Sequence, residues 1–170
     1  MLEILHPRRL FFWYLIAFFI LILDQFTKQL ITGSFNYGDV QDITVYFNLV
    51  RVHNYGAAFS FLSEAGGWQR WALSSVAGIV SIGIIIWISR VPDNKHFERL
   101  ALALILGGAL GNLIDRMMLG YVVDFLDFHW SGMHFPAFNV ADSCITLGAT
   151  LLIIDSLCSD DPLSDQINEG

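Results

Sequence analysis

Residues 100–118 read LALALILGGALGNLIDRMM, and the reading of that stretch decides what kind of protein this is. Its first 15 residues, Leu100 to Ile114, hold no ionisable side chain. At ~1.5 Å of rise per residue, a helix through the whole stretch nearly crosses a hydrocarbon layer of ~30 Å. A helix on a soluble core would interleave a polar face with an apolar stripe, and none is present before Asn112. Gly107 and Gly111 stand at the G-x-x-x-G spacing that lets a second helix pack backbone to backbone. The polar residues crowd into the last turns. Asn112 and Arg116 are four apart and share a face, with Asp115 beside them. The stretch predicts a membrane-spanning helix with a polar cluster at one end.

Three further apolar runs, 10–31, 71–89 and 138–157, are also long enough to span. Over the 170 residues 55% are hydrophobic and only 15% charged, against about 25% charged in an ordinary soluble domain. The chain therefore predicts an all-α polytopic membrane protein of four transmembrane helices. A cleaved leader is the rival reading of the first run, but its apolar stretch is too long for an h-region and no A-x-A-like site follows. Residues 1–158 are expected to form one integral membrane domain. The tail, 159–170, carries Asp160, Asp161, Asp165 and Glu169 without a basic residue and is expected to be disordered. The net charge of −7 owes much to that tail and says little about partners.

Basic residues set the expected orientation. Arg8 and Arg9 precede the first run, and Arg90, Lys95 and Arg99 fill the link between the second and third. The 32–70 loop holds Arg51 and Arg70, and the 119–136 loop holds none. Both termini are accordingly expected in the cytoplasm, with the two longer loops outside. Within 32–70, the run Ile43–Val52 is rich in β-branched and aromatic residues and predicts one or two short strands on the outer membrane face. Trp68 and Trp71 fall where an interfacial aromatic belt would lie. Cys144 and Cys158 have no metal-ligand spacing and are read as free thiols.

Ionisable groups inside spans are costly and are usually paired or functional. Asp24 and Lys28, four apart near the end of the first span, are read as a structural ion pair. Arg116 is expected to pair with Asp115 or another carboxylate. Asp124 lies in the apolar setting Val122-Val123-Asp124-Phe125. Asp142 opens the fourth span, sharing a helical face with Asn139. Topology places both acids at one membrane face. Two carboxylates close together in an apolar setting cannot both ionise freely, so they hold one proton between them. Such a pair suits peptide hydrolysis: the ionised member activates water and the protonated member polarises the carbonyl.

Rival chemistries have less support. There is no G-x-S-x-G, no H-E-x-x-H, no phosphate loop and no basic stripe for nucleic acid. A metal site from His53, His129 and His134 with an Asp is the one alternative among the scattered histidines; no metal or other cofactor is expected. The same acids would also serve a small transporter or proton-conducting protein, or be paired structurally in a non-enzymatic scaffold.

Five ordered motifs carry a resemblance. They are Asp24-Gln25-Phe26-Thr27-Lys28, Asn54-Tyr55-Gly56-Ala57-Ala58-Phe59-Ser60, Gly107 to Arg116, Val122-Val123-Asp124-Phe125 and Phe138-Asn139-Val140-Ala141-Asp142-Ser143. Together they resemble bacterial lipoprotein signal peptidase (signal peptidase II), over about residues 10–157. The resemblance implies an aspartic endopeptidase of the bacterial inner membrane, active at the periplasmic face. It implies four spanning helices, a small extracytoplasmic β-element, and a short periplasmic helix within 54–62 that closes over the site. The implied partners are membrane lipids and prolipoproteins, cut N-terminal to a diacylglyceryl-modified cysteine. By the family's pattern Asp124 and Asp142 are the catalytic dyad. Asn54, Gly56, Asn112, Arg116, Asn139 and Ala141 match site-lining positions, and Asp24 with Lys28 matches a structural pair. The acidic C-terminus departs from the family, where a basic tail is common.

Overall fold

A computed structural model describes residues 7–56 and 66–159. Residues 57–65, which hold the rest of the Asn54–Ser60 motif and all but the start of the helix expected within 54–62, lie outside the described residues, as does the acidic tail from Asp160; Asn54 itself ends a strand. In chain order the elements are α1 (Pro7–Ser34), β1 (Val40–Thr44), β2 (Phe47–Asn54), α2 (Trp68–Arg90), α3 (His96–Met118), β3 (Val122–Trp130), β4 (Met133–His134) and α4 (Val140–Ser159).

Four of the described helices are long and apolar enough to cross a membrane: Leu10–Ser34, Trp68–Arg90, His96–Met118 and Val140–Cys158. Their outward faces carry large apolar side chains such as Phe11, Phe19, Ile79, Ile153 and Leu157, all well exposed. A soluble monomer rarely shows that much contiguous apolar surface; facing lipid, these side chains need no cover. The chain is a multi-pass membrane protein.

The stretch that opened the sequence reading is the spine. α3 packs against α1, α2 and α4 and buries half of its apolar window, against about a fifth or less for the others. Its glycines are the reason it can. A Cβ on Gly107 would sit 2.6 Å from the Ala17 carbonyl oxygen of α1, and one on Gly108 would strike the Ala141 carbonyl of α4. Gly148 returns the fit from α4, where a Cβ would lie 2.6 Å from the Ala101 carbonyl. Trp13, Ala17, Ile84, Ile88, Leu102 and Leu106 fill the space between α1, α2 and α3.

The link between α2 and α3 differs from the sequence reading. Arg99 counted there as a loop cation, but α3 begins at His96 and the Arg99 side chain is buried. Its Nη1 lies 2.7 Å from Asp93 Oδ1 and its Nη2 donates to the Val91 carbonyl. Local pairing lets the helix take in a cation that its apolar run alone would exclude.

At the opposite end, β1-β2-β3-β4 form one antiparallel meander. The β-element is thus larger than expected: β3 and β4 come from the 119–136 segment, which composition alone reads as a loop. β2 pairs β3 with Asn48 opposite Asp127, Val52 opposite Asp124 and His53 opposite Val123. The β3–β4 hairpin turns on Ser131 (φ 50°) and Gly132 (φ 80°), a two-residue loop with both φ positive that matches the strand twist. Ile31, Val123 and Phe125 bury the sheet against the end of α1. The end of α1, the sheet, the start of α2, the end of α3 and the start of α4 therefore gather on one side of the bundle.

Candidate active site

α4 begins with a reciprocal cap. Asn139, the residue just before it, accepts the Asp142 N–H at its Oδ1 (2.9 Å), while Asp142 Oδ2 accepts the Asn139 N–H (3.3 Å). This is the capping-box geometry that satisfies two orphan donors of a helix start. The cap also fixes where the Asn139 amide points. Its Nδ2 donates to Asp124 Oδ1 at 2.7 Å and lies 3.2 Å from Asn112 Oδ1. Asn112, on the last turns of α3, donates its own Nδ2 to Asp142 Oδ1 at 2.7 Å. The two aspartates are thus joined through two asparagine amides, one on α3 and one just before α4.

Asp124 is held from its other side by Asn54 at the end of β2, whose Nδ2 lies 3.1 Å from Oδ2. The side chain is 2% exposed. Burial, and after it the charge of Asp142, pushes the Asp124 carboxyl up to about 7, against hydrogen bonds from Asn54 and Asn139 that favour its ionised form. Asp142 is half-buried and opens on a cavity of 590 Å³. Asn54, Asn112 and Arg116 line its polar end, and Phe135 to Phe138 with Ile145 and Leu147 make the apolar wall. A second concavity, of 690 Å³, lies at the β3–β4 hairpin and includes neither aspartate.

The remaining expected site residues converge here too. Gly56 donates its N–H to Asn54 Oδ1 (3.0 Å), and its carbonyl accepts from Arg116 Nη2 (3.0 Å). Ala141 is fully buried and gives its N–H to Asp24 Oδ1 at 2.9 Å. Lys28 Nζ lies 2.8 Å from Asp24 Oδ2 and donates to Asn112 Oδ1 at 2.9 Å, so the pair from the first span touches the amide that holds Asp142. Gly111 makes room for this: a Cβ there would stand 2.5 Å from Asp24 Oδ2.

Asp115 is bound by Lys28 (3.0 Å) and Gln25 (2.8 Å), while Arg116 donates to the Gly56 carbonyl and feels the charges of Asp142, Asp124 and, after them, Asp115. Adjacent residues on a helix project about 100° apart, so the sequence neighbours serve different clusters. The three histidines of the alternative metal site are not brought together. His53 stacks on Tyr121 (3.8 Å between ring centroids), with burial and then Arg51 lowering its pKa. His129 and His134 stack on each other at the hairpin, with His134 Nδ1 3.0 Å from Asp127. Val123, the partner of His53, and His129 lie six strand positions apart, about 20 Å. Cys144 and Cys158 are free.

Gln25, Asp115 and the Asn48–Asp127 pair (2.9 Å) were not singled out as site residues from sequence. Gln25 and Asp115 stand inside motifs already quoted, so their chemistry was visible while their partners were not.

Comparison with known proteins agrees on kinship. Residues 16–158 match the family described as signal peptidase (SPase) II. The lipoprotein signal peptidase of Acinetobacter baylyi is 52% identical over 151 residues, 89% of this chain and 84% of that protein. That of Shewanella pealeana is 48% identical over 159 residues, 92% of this chain and 94% of that one. A bacterial membrane enzyme solved by the in meso method at 2.3 Å superposes with a TM-score of 0.80 at 34% identity, covering 89% of this chain and 90% of that one. A bundle of four spanning helices capped by a small sheet, matched along most of its length by peptidases, makes this chain a peptidase that belongs to the signal peptidase II family.

Proposed function

We propose that this protein is an intramembrane aspartic endopeptidase that removes signal peptides from prolipoproteins, cutting N-terminal to the diacylglyceryl-modified cysteine. The observation that carries the reading is the coupled pair: Asp124 and Asp142, joined through Asn139 and Asn112, at the polar end of an apolar-walled cavity. The substrate comes from the lipoprotein signal peptidases that the chain resembles. An apolar signal helix and a lipidated cysteine enter sideways from the bilayer, and a cavity running along α4 from the acids suits both.

Roles follow from exposure. Asp124 is the buried member and retains a proton near pH 7; Asp142 faces the cavity and acts as base. Asp142 takes a proton from water as its oxygen adds to the scissile carbonyl carbon, and Asp124 gives its proton to the carbonyl oxygen. On collapse of the gem-diol a proton returns to Asp124, Asp142 passes its proton to the leaving nitrogen, and the C–N bond breaks. No covalent intermediate forms. Asn54, Gly56, Asn112, Arg116, Asn139 and Ala141 support the dyad, with Asp24–Lys28 behind them. Residues 1–158 act as one membrane domain, placed in the bacterial inner membrane with both termini cytoplasmic and the site at the periplasmic face, as Arg8, Arg9, Arg90 and Lys95 favour.

The test is cleavage of a synthetic lipidated precursor by purified wild type, Asp124→Asn and Asp142→Asn. Each variant is expected to insert and fold yet lose cleavage by at least about 10³-fold. Full activity in either would sink the dyad. Flux through proteoliposomes that tracks Asp124 substitution would favour a proton-conducting role instead.

A further inference from the structure

Behind the two aspartates lies a second layer that treats them alike. The residue before Asp142 is Ala141, whose backbone N–H ends on the Asp24 carboxylate at 2.9 Å. The residue before Asp124 is Val123, whose N–H ends on the Asp115 carboxylate at 3.1 Å. Lys28 Nζ lies between these carboxylates, 2.8 Å from Asp24 and 3.0 Å from Asp115. Asp24, Lys28 and Asp115 are all nearly fully buried, on α1 and α3.

Both amides are buried and need an acceptor, and both find it on another element. Ala141 stands in the first turn of α4, where an N–H is normally capped by a nearby side chain or by water; here the acceptor comes from a different helix. Val123 lies on a strand and yet donates to a helix side chain. Each contact fixes the backbone one residue from a reacting carboxyl group. A single ammonium joins the two acceptors, so one lysine links the backbone next to Asp142 with the backbone next to Asp124. Two further bonds tighten the frame: Gln25 Nε2 donates to Asp115 Oδ1 at 2.8 Å, and Lys28 donates to Asn112 Oδ1 at 2.9 Å.

We propose that Asp115 is the positioning residue for Asp124, and that Asp24, Lys28 and Asp115 form a yoke that sets the spacing of the two aspartates through the Ala141 and Val123 amides. The proposal rests on the dyad reading above. It assigns Asp115 a role that pairing with Arg116 would not have given it, and it makes Lys28 a setter of dyad geometry as well as a neutraliser of Asp24. The yoke carries one cation for two carboxylates. Lys28 also acts at a distance on Asp124, where its charge favours the ionised form.

The experiment measures kcat and KM on a lipidated precursor, from about pH 5 to about pH 9, for the full chain and for Asp115→Asn, Asp115→Ala, Lys28→Met and Asp124→Asn. Asp115→Asn keeps an oxygen for the Val123 N–H but no longer pairs with Lys28; Asp115→Ala keeps neither. The expected order of kcat is wild type, Asp115→Asn, Asp115→Ala, with a loss of about 100-fold at the last, as misplacement of a reacting group by about 1 Å produces. KM should change far less, since neither atom lines the cavity. Lys28→Met should move the alkaline limb of the rate profile to higher pH. If Asp115→Ala does not fold, Asp115→Asn decides, and its kcat is referred to the monodisperse, folded fraction. Wild-type kcat in folded Asp115→Asn and Asp115→Ala, beside an inactive Asp124→Asn, would overturn the yoke and leave the dyad standing. So would wild-type kcat in folded Lys28→Met. Cleavage by Asp124→Asn would overturn the dyad itself.

Discussion

Two carboxyl groups a few bonds apart in chemistry differ sharply in surroundings. Asp124 is buried and feels the charge of Asp142, and its folded pKa of about 7 stands well above the ordinary 3.8. For a carboxyl raised on folding, the folded chain holds its proton to higher pH than the unfolded chain does. The contribution of Asp124 to stability is therefore present below about pH 4 and is lost as pH rises through about 7. Two outcomes follow at this scale. The rate of precursor cleavage should fall on the alkaline side with an apparent pKa near 7, because Asp124 would then lack the proton that its proposed role as acid requires; a pH profile of kcat/KM checks this. The thermal midpoint of wild type should decline between about pH 4 and pH 7, and Asp124→Asn, which has no proton to lose, should flatten that slope. Asn139 is the other decisive residue, since its side chain serves α4, Asn112 and Asp124 together. Asn139→Ala removes a cap worth about 1 kcal/mol, and it frees Asp124 from its nearest donor, so kcat should drop further than stability.

The elements were unevenly legible. Each spanning helix declares itself, because a long apolar run satisfies its own backbone and needs no partner to be recognised. Strand β2 was readable from Ile43–Val52 for a similar reason: β-branched and aromatic residues concentrate there. Strand β3 was not, since Val122-Val123-Asp124-Phe125-Leu126-Asp127 lacks strict alternation, its site aspartate interrupting an apolar face. The Ser131-Gly132 pair before Met133 was an available sign of a two-residue hairpin. The polar cluster at the end of α3 was legible as residue types, and Gly107 and Gly111 as a packing face. The partners were not, because Lys28 meets Asp115 across 87 positions of chain and only the fold sets that contact. Close packing at these glycines yields a graded prediction. Gly111→Ala would drive a methyl to within 2.5 Å of Asp24 Oδ2, a carboxylate already committed to Lys28 and Ala141. It should lose most cleavage while the four helices still insert, seen as near-normal helical circular dichroism with kcat down by about tenfold or more. Gly83 meets nothing within 4 Å, and Gly83→Ala should match wild type in both measurements.

At the scale of the whole molecule, α3 joins two polar clusters through an apolar middle. Its site end carries Asn112, Asp115 and Arg116; its other end carries Arg99, locked to Asp93 and the Val91 carbonyl. Arg99 and Asp115 lie sixteen helical positions apart, about 24 Å, with no charged side chain between them. No charged side chain of α3 connects the clusters, so they should act independently, as distant sites generally do. Arg99 is nearly fully buried, whereas the Asp93 side chain is about one-third exposed. Asp93→Asn should therefore strand a buried guanidinium and cost about 2 kcal/mol, less than a fully buried pair because water already reaches Asp93. Arg99→Met removes the charge itself and fills similar volume. The double variant Asp93→Asn/Arg99→Met should accordingly be more stable than Asp93→Asn alone, although it carries one more substitution. Thermal unfolding of the three purified variants in one detergent measures this order. Their kcat on a lipidated precursor, taken well below each midpoint, should equal that of wild type. A fall in kcat that follows the fall in stability would show that the clamp reaches the aspartates through the helix.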